Sequence, residues 1–543
     1  MKTTMWNADL ENGMYKNPIL YADYSDPDAC RVGEDYFMIA SSFCNAPGLP
    51  VLHSKDLVNW KVVNYILPKV PEERYDKPVH GCGVWAPAIR YHEGTFFACF
   101  PMPDEGIYMS TTKDPFGTWS EPVNIRPGAG WIDPCPFWDE DGRAYLVAGV
   151  AKSRIGYKSV LHMIEMQPDG MGLIGEAKVV FDGNLNEQET IEGPKLYKRN
   201  GWYYIFAPAG GVKTGWQTVL RSRNIFGPYE YRVVMRQGDS PVNGPHQGAW
   251  VDTVTGEDWF LHFQDVYAAG RIIHLQPMSW KEDWPIIGIA KDGNDYGEPV
   301  LTYRKPNVGE AAKEAVICEP DASDDFAKKT LGLQWQWNAN PKEDWYNITS
   351  DGLCLNAVKQ EEKIKHGDYP NLLLQKWPAP EFICDTTLSL AGLKANEEAG
   401  VISMGVEYAL LSFARNEEGV VEASFINGKQ KYGKILVEST EETSTQLGTL
   451  VFADDSETVT VRMSVHRVGT QDLSEKEKNF PLEEVVFEYS TNGTDYKKAG
   501  SYMAAAGRWV GVKSGVYCAA NHSEAVGSCL VKKTVYKNVT VHG

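Results

Sequence analysis

The chain has 543 residues, a formal net charge of −19 at pH 7, and 43% hydrophobic and 12% aromatic residues. This length predicts more than one domain. The acidic balance and the lack of a basic stripe argue against a nucleic-acid partner, because phosphate binding requires basic side chains. The 17 Trp and 27 Tyr suit flat apolar ligands such as sugar faces, although we expect most of these rings to fill β-sheet cores.

The cysteines and the N-terminal segment indicate the cellular compartment of the protein. No Cys-x-x-Cys pair occurs among the ten cysteines, so a zinc site is not expected. Residues 1–14 are polar and lack the apolar core of a signal peptide. No stretch reaches the roughly 20 apolar residues of a membrane span. We therefore expect a cytoplasmic protein without a membrane partner, although a chain trimmed of its signal would show the same pattern.

Short apolar runs entered through glycine-containing turns recur before about residue 270, and such runs predict hairpins. The five runs are 36–40, 95–100, 144–148, 202–206 and 258–263.

A distinctive residue precedes each hairpin: Asp26, Trp85, Asp133, Glu192 and His246. They follow one another at intervals of roughly 50 residues, which is typical of the four-stranded blades of a β-propeller. We therefore predict an all-β fold with a five-bladed β-propeller over residues 15–305. Radial repetition then brings one residue from each blade to the same mouth of the central axis.

Three of these five residues are acids in turns: Asp26 and Asp133 each precede a proline, and Glu192 precedes a glycine. A lone acid beside a proline is usually a turn residue. Three acids that converge on one axis are a different signal, because paired carboxylates perform glycoside hydrolysis.

A linker is predicted over 306–321, and the pattern then changes to strands without a repeat. These runs are 372–374, 382–388, 400–404, 409–413, 458–463 and 485–489. They predict a second domain, a lectin-like β-sandwich, over residues 322–543.

The motifs taken together resemble glycoside hydrolase family 43. In chain order they are Asn17-Pro18-Ile19-Leu20, Ser25-Asp26-Pro27-Asp28, His53-Ser54-Lys55-Asp56-Leu57-Val58-Asn59-Trp60, Trp85-Ala86-Pro87, Ile132-Asp133-Pro134 and Glu192-Gly193-Pro194. The segment from Asp325 to Asn338 resembles the sandwich attached to β-xylosidase-like members.

The resemblance implies inverting catalysis on the propeller, with Asp26 as general base and Glu192 as general acid. Asp133 would position the acid and raise its pKa. An inverting enzyme needs a carboxylate to deprotonate water and a protonated acid on the opposite face of the sugar. We therefore predict that the carboxyls of Asp26 and Glu192 lie roughly 6.5–9.5 Å apart.

Further site residues are implied by the same resemblance: Phe43 and Trp85 as aromatic walls, Arg271 as a contact to substrate hydroxyls, and His246 at the propeller centre. His246 would hold water or calcium there, or would be an ordinary core histidine. Beyond the resemblance, Trp216 is expected to wall the pocket.

Four other positions carry weaker expectations. A loop around Trp509 is expected to close over the site. Asp324 and Asp325 form either a calcium site or a solvated turn, and Asp139 is expected in an exposed turn.

The leading hypothesis is an exo-acting pentosidase that removes β-D-xylose or α-L-arabinofuranose from oligosaccharides. It requires no cofactor, with calcium as the one candidate. The alternatives are an endo-arabinanase of the same family and a carbohydrate-binding propeller without catalysis. The sequence does not indicate the oligomeric state.

Overall fold

The computed structural model describes residues 5–433, 435–452, 454–471, 480–520 and 527–539. The ends of the chain, including the last four residues of the predicted sandwich range, lie outside these ranges. Within them, no helix has the length and apolar character needed to cross a membrane. The helical elements are short: the α-helix Lys152–Ile155 and the 3-10 helices Glu73–Asp76, Gly183–Leu185, Tyr267–Ala269, Gly309–Lys313, Glu343–Trp345 and His366–Asp368.

Five antiparallel sheets follow one another along the first half of the chain and form the blades of a propeller. Blade 1 contains Asp28–Val32, Asp35–Ile39, Gly48–Ser54 and Lys61–Leu67. Blade 2 contains Ala88–His92, Thr95–Met102, Gly106–Thr112 and Val123–Pro127. Blade 3 contains Trp131–Trp138, Ala144–Val150, Val160–Met166 and Leu173–Asp182. Blade 4 contains Lys195–Arg199, Trp202–Ala209, Trp216–Ser222 and Glu230–Met235, and the short strands Gly297–Glu298 and Ile289–Ala290 extend it. Blade 5 contains His246–Asp252, Asp258–Asp265, Arg271–Lys281 and Trp284–Ile287.

The ring of blades is closed by pairing between its two ends. Met14–Lys16 pairs with Thr302–Arg304, and a buried apolar cluster that includes Trp60 and Trp259 joins blade 1 to blade 5. Each of the five predicted apolar runs lies in the second strand of a blade, so the prediction of a five-bladed propeller is confirmed.

Two sheets form the C-terminal β-sandwich, and they enclose the largest apolar cluster of the described residues. One sheet contains, in spatial order, Gln336–Trp337, Leu373–Lys376, Lys513–Ala520, Glu397–Met404, Glu407–Arg415, Val421–Tyr432 and Val437–Thr449, and Val358–Lys359 pairs with it. The other contains Tyr346–Thr349, Gly352–Asn356, Ser528–Asn538, Phe382–Ser389, Thr458–Gln471, Phe480–Ser490 and Lys497–Met503. Five of the six predicted runs lie within these strands and the sixth, 372–374, overlaps Leu373–Lys376, which confirms the predicted sandwich.

The sandwich is hydrogen-bonded to the face of the propeller that carries the candidate site. Ala46 and Trp337 exchange backbone hydrogen bonds of 3.1 and 2.6 Å. The backbone N–H groups of Gly511 and Val512 donate to Asp23 Oδ2 at 2.9 Å and to the Ala268 carbonyl at 2.7 Å. These contacts hold the loop that contains Arg508 and Trp509 against the propeller.

Candidate active site

The three predicted acids line one cavity of about 90 Å³ at the mouth of the propeller axis. Asp26 precedes the first strand of blade 1, and Glu192 precedes the first strand of blade 4. Asp133 lies inside the first strand of blade 3, where the pairing register shifts between Ile132 and Cys135. Such an irregularity re-aims a side chain. The residues that line this cavity are Asp26, Phe43, Trp85, Ala86, Ile132, Asp133, Glu192, Val212, Gln247, Arg271 and Trp509.

Asp26 is held by three side-chain donors. Its Oδ2 accepts hydrogen bonds from Ser25 Oγ at 2.8 Å and Ser41 Oγ at 2.7 Å. Its Oδ1 accepts one from a guanidinium N–H of Arg271 at 2.7 Å. Asp26 is only 5% exposed, and an ionised carboxylate acts only as an acceptor. This arrangement therefore fixes the direction of the Asp26 carboxyl, as a base requires.

Asp133 is a buried carboxyl whose pKa depends on the nearby charge of Glu192. Burial, followed by the negative charge of Glu192, raises the pKa of Asp133 to about 8. Asp133 Oδ2 accepts the backbone N–H of Gly193 at 2.7 Å, and Glu192 Oε1 lies 2.9 Å from His246 Nε2. Asp133 therefore keeps its proton at neutral pH. Glu192, whose side chain is 24% exposed, lines the same cavity.

The proton on Asp133 gives a testable pH dependence. Above about pH 8 Asp133 ionises and adds a negative charge to the catalytic cavity, so we expect kcat/KM to decline with an apparent pKa near 8. The measurement is kcat/KM on a nitrophenyl glycoside from pH 5 to 10. Asp133→Asn removes this titrating group, so its basic limb is expected to move. An unchanged profile in this variant would contradict the role of Asp133 in the pH dependence.

Four lining residues have left-handed backbone conformations: φ is 55° at Asp26, 53° at Phe43, 54° at Asp133 and 35° at Gln247. Positive φ is uncommon outside glycine, and such outliers concentrate at functional sites. Gly193 also has a positive φ, 58°, which favours glycine. A Cβ at this position would in addition lie 2.6 Å from the Gln247 side chain.

Aromatic rings from both domains wall the cavity. The Trp85 ring lies 6.4 Å from Phe43 and 6.4 Å from Trp509, centroid to centroid. Trp509 comes from the sandwich, and the Arg271 guanidinium lies 5.7 Å from its ring. Asp23 links the propeller to the sandwich, because its carboxylate accepts the backbone N–H groups of Arg271 in the propeller and Gly511 in the sandwich at 2.9 Å each. The structure therefore places the Trp509 loop at the site.

Among the described residues, no group of three or more His, Cys, Asp or Glu side chains is arranged to hold a metal. His246 is fully buried, its Nε2 contacts Glu192, and its Nδ1 has no hydrogen-bond partner among those residues. Calcium takes six to eight oxygen ligands, which can include water molecules, and the expectation that His246 holds water or calcium stays a prediction. The oxygens of Asp324 accept hydrogen bonds from Phe326, Gln334 and Trp335, as in a structural turn.

Two predictions about side-chain position are wrong. Trp216 does not line the cavity: its indole N–H donates to Gln188 Oε1 at 3.0 Å, and Arg236 covers its ring. Asp139 is not exposed, because Lys198 and Tyr203 each approach its carboxylate to 2.5 Å. Both residues lie in turns or strand ends whose direction depends on packing between blades.

Several site residues carried no sequence signal on their own. Ser41 reaches Asp26 from the loop after the second strand of blade 1, and Val212 and Gln247 line the cavity. Only its position next to the predicted His246 in the sequence could have indicated that Gln247 lines the cavity.

Comparisons with known proteins agree with this geometry. The sequence profile of "Glycosyl hydrolases family 43" matches residues 15–285. The profile of "Beta xylosidase C-terminal Concanavalin A-like domain" matches residues 323–537.

Similar proteins cover most of the chain. A provisionally named β-xylosidase of Xylanibacter ruminicola is 38% identical over 94% of this chain and 87% of its own. A β-xylosidase of Formosa agariphila is 30% identical over 95% of this chain and 89% of its own. A non-reducing end α-L-arabinofuranosidase of Bacteroides ovatus is 31% identical over 77% and 79%.

Solved structures share the fold. A bifunctional family 43 protein of Bacteroides eggerthii superposes with a TM-score of 0.78 at 25% identity over 96% of this chain, which spans 64% of that longer protein. A xylan β-1,4-xylosidase from Bacillus halodurans has a TM-score of 0.78 at 22% identity, over 96% of this chain and all of its own.

Proposed function

The chain belongs to glycosyl hydrolase family 43 and is a glycoside hydrolase, and from this premise we propose that it releases single pentose residues from oligosaccharide ends with inversion. The sugars are β-D-xylose, α-L-arabinofuranose or both. The observation that carries the proposal is the convergence of Asp26, Asp133 and Glu192 on one small cavity that Trp509 walls from the other domain.

In the proposed reaction, Asp26 accepts a proton from a water molecule that attacks the anomeric carbon. Glu192 donates its proton to the departing glycosidic oxygen, and the C–O bond breaks. Asp133, which lines the same cavity, positions Glu192 for that step. Arg271 holds Asp26 through a 2.7 Å ion pair and so fixes the direction of the base. These steps require only side chains and water.

The size of the cavity supports an exo-acting enzyme. The catalytic cavity of about 90 Å³ adjoins a cavity of about 440 Å³, and the two share Val212, Arg271 and Trp509 as walls. We assign the small cavity to one terminal sugar and the larger one to the rest of the oligosaccharide. An endo-acting arabinanase needs a cleft open at both ends, whereas here the sandwich loop closes one side.

The choice of sugars rests on chemistry and on relatives. β-D-Xylose and α-L-arabinofuranose present similar hydroxyl geometry, so one pocket accepts both, and the similar proteins named above include enzymes named for each sugar. Initial rates on nitrophenyl β-D-xyloside and nitrophenyl α-L-arabinofuranoside test this assignment. Product analysis on xylo- and arabino-oligosaccharides should show monosaccharides from the first time points. Longer products at those times would support an endo-acting enzyme instead.

Removal of the Trp509 ring is expected to weaken substrate binding. Trp509→Ala deletes an aromatic wall shared by both cavities, and we expect kcat/KM to fall by about 5- to 30-fold, equal to about 1–2 kcal/mol. Kinetics on an oligosaccharide measure the effect. Tyr91→Ala is a matched control, because Tyr91 is similarly exposed (43% against 42%) but lies outside the cavity. Equal losses in both variants would contradict the role of Trp509.

A further inference from the structure

A third cavity lies between the propeller and the sandwich, next to the catalytic cavity. It has a volume of about 30 Å³, and Cys44, His80, Gln430 and Lys513 are among its lining residues. Phe43 lines both cavities. Cys44 is therefore one peptide bond from a residue that contacts the catalytic cavity.

Cys44 belongs to a chain of three titratable groups that crosses the domain boundary. The Cys44 thiol and the His80 imidazole line the same small cavity. His80 Nε2 lies 3.1 Å from the Gly367 carbonyl and 3.3 Å from Asp368 Oδ1 in the sandwich. A thiol, an imidazole and a carboxylate in this order form a thiolate stabilised by an imidazolium.

The electrostatics agree with this arrangement. Burial acts to raise the pKa of Cys44, but the electrostatic effect of His80 opposes burial, and the pKa lies below its usual value. Burial acts to lower the pKa of His80, whereas Asp368 and Cys44 raise it to about 10. Eight other cysteines have a pKa raised by burial: Cys30, Cys82, Cys99, Cys135, Cys318, Cys384, Cys518 and Cys529.

The cavity also offers a donor for an anionic oxygen. Gln430 is only 4% exposed, lines the cavity, and its Nε2 has no hydrogen-bond partner among the described residues. The Lys513 ammonium, bonded to Asn45 Oδ1 at 2.5 Å, supplies positive charge. A water molecule needs about 10–15 Å³ of such volume, so a molecule the size of hydrogen peroxide fits.

We propose that this cavity is a peroxide-reaction site in which Cys44 is oxidised to a sulfenic acid. The thiolate sulfur attacks one oxygen of hydrogen peroxide, an S–O bond forms, and the O–O bond breaks. The departing hydroxide takes a proton from the His80 imidazolium and leaves as water. Sulfur is oxidised by two electrons and the peroxide is reduced by two. The amide of Gln430 donates to the new oxygen, whose bulk displaces the neighbouring Phe43 and inhibits the glycosidase.

The test treats the full-length enzyme with hydrogen peroxide, traps sulfenic acid with dimedone and locates the adduct by mass spectrometry. We expect the adduct at Cys44. Activity on a nitrophenyl glycoside should fall by about tenfold or more, since a displacement of about 1 Å at an active site costs up to 100-fold. Dithiothreitol should restore activity, which separates this reaction from methionine oxidation, because methionine sulfoxide needs a reductase.

Two variants complete the test. Cys44→Ser is expected to keep its activity after peroxide, whereas Cys318→Ser, at a more accessible cysteine whose burial raises its pKa to about 11, should be inactivated like the natural chain. Absence of a dimedone adduct at Cys44 in the natural chain overturns the proposal, as does equal inactivation of Cys44→Ser. The adduct is read independently of hydrolysis, so it tests this site even where the proposed sugar specificity is wrong.

Discussion

Asp26→Asn is expected to reduce kcat by about 10²–10⁴-fold, the usual contribution of a general base. The amide preserves the shape of the side chain but cannot accept the proton of the attacking water. It also removes the negative charge that faces Arg271 at 2.7 Å. Because the loss concerns the attacking water, it should be similar for substrates with good and poor leaving groups.

The measurement compares kcat for Asp26→Asn on a nitrophenyl glycoside and on a disaccharide. Asp141→Asn is the matched control, since Asp141 is an exposed turn acid paired with Arg143. Activity within a few fold of the natural enzyme would contradict the assignment and support a carbohydrate-binding propeller without catalysis.

Glu192→Gln is expected to lose activity in a way that depends on the leaving group. An alkoxide leaving group needs the proton that Glu192 donates, so kcat on a disaccharide should fall by about 10²–10⁴-fold. A nitrophenolate departs without protonation, so the loss on a nitrophenyl glycoside should be much smaller. The variant should still bind substrate, because the amide retains the volume of the carboxyl and its oxygen can still accept from His246 Nε2.

The decisive quantity for Glu192→Gln is the ratio of its loss of activity on the disaccharide to its loss of activity on the nitrophenyl glycoside. Glu189→Gln, at an exposed position three residues earlier, controls for the substitution itself. Equal losses on both substrates would place the role of Glu192 in binding or folding and not in acid catalysis.

The propeller could be predicted because the sequence repeats the pattern of one blade five times. Each blade begins with a short strand and a turn in which glycine adopts positive φ, as at Gly33 with φ of 62° and Gly94 with φ of 81°. The apolar runs after these turns are buried by the next blade. The sandwich was recognisable as strands, but their order in two sheets depends on pairs distant in sequence, such as Phe382–Ser389 with Ser528–Asn538.

The site was predictable only in part. Asp26, Asp133 and Glu192 stand at equivalent places in their blades, so the repeat located them. Ser41 lies in the loop after the second strand of blade 1. Gln247 lies in the first strand of blade 5, where the pairing register shifts between His246 and Gly248. Neither residue has a local sequence signature. Trp216 was misplaced because its strand begins beside the cavity but its ring turns toward Gln188. The position of Trp509 depends on docking between domains, which Asp23 fixes.

The anomeric configuration of the first product tests the assignment of base and acid most directly. Proton NMR can follow the hydrolysis of nitrophenyl β-D-xyloside before the product mutarotates. The proposed mechanism, with Asp26 activating water and Glu192 protonating the leaving oxygen, predicts α-D-xylose as the first product. β-D-Xylose as the first product would require a covalent intermediate on one of these carboxylates and would contradict both assignments.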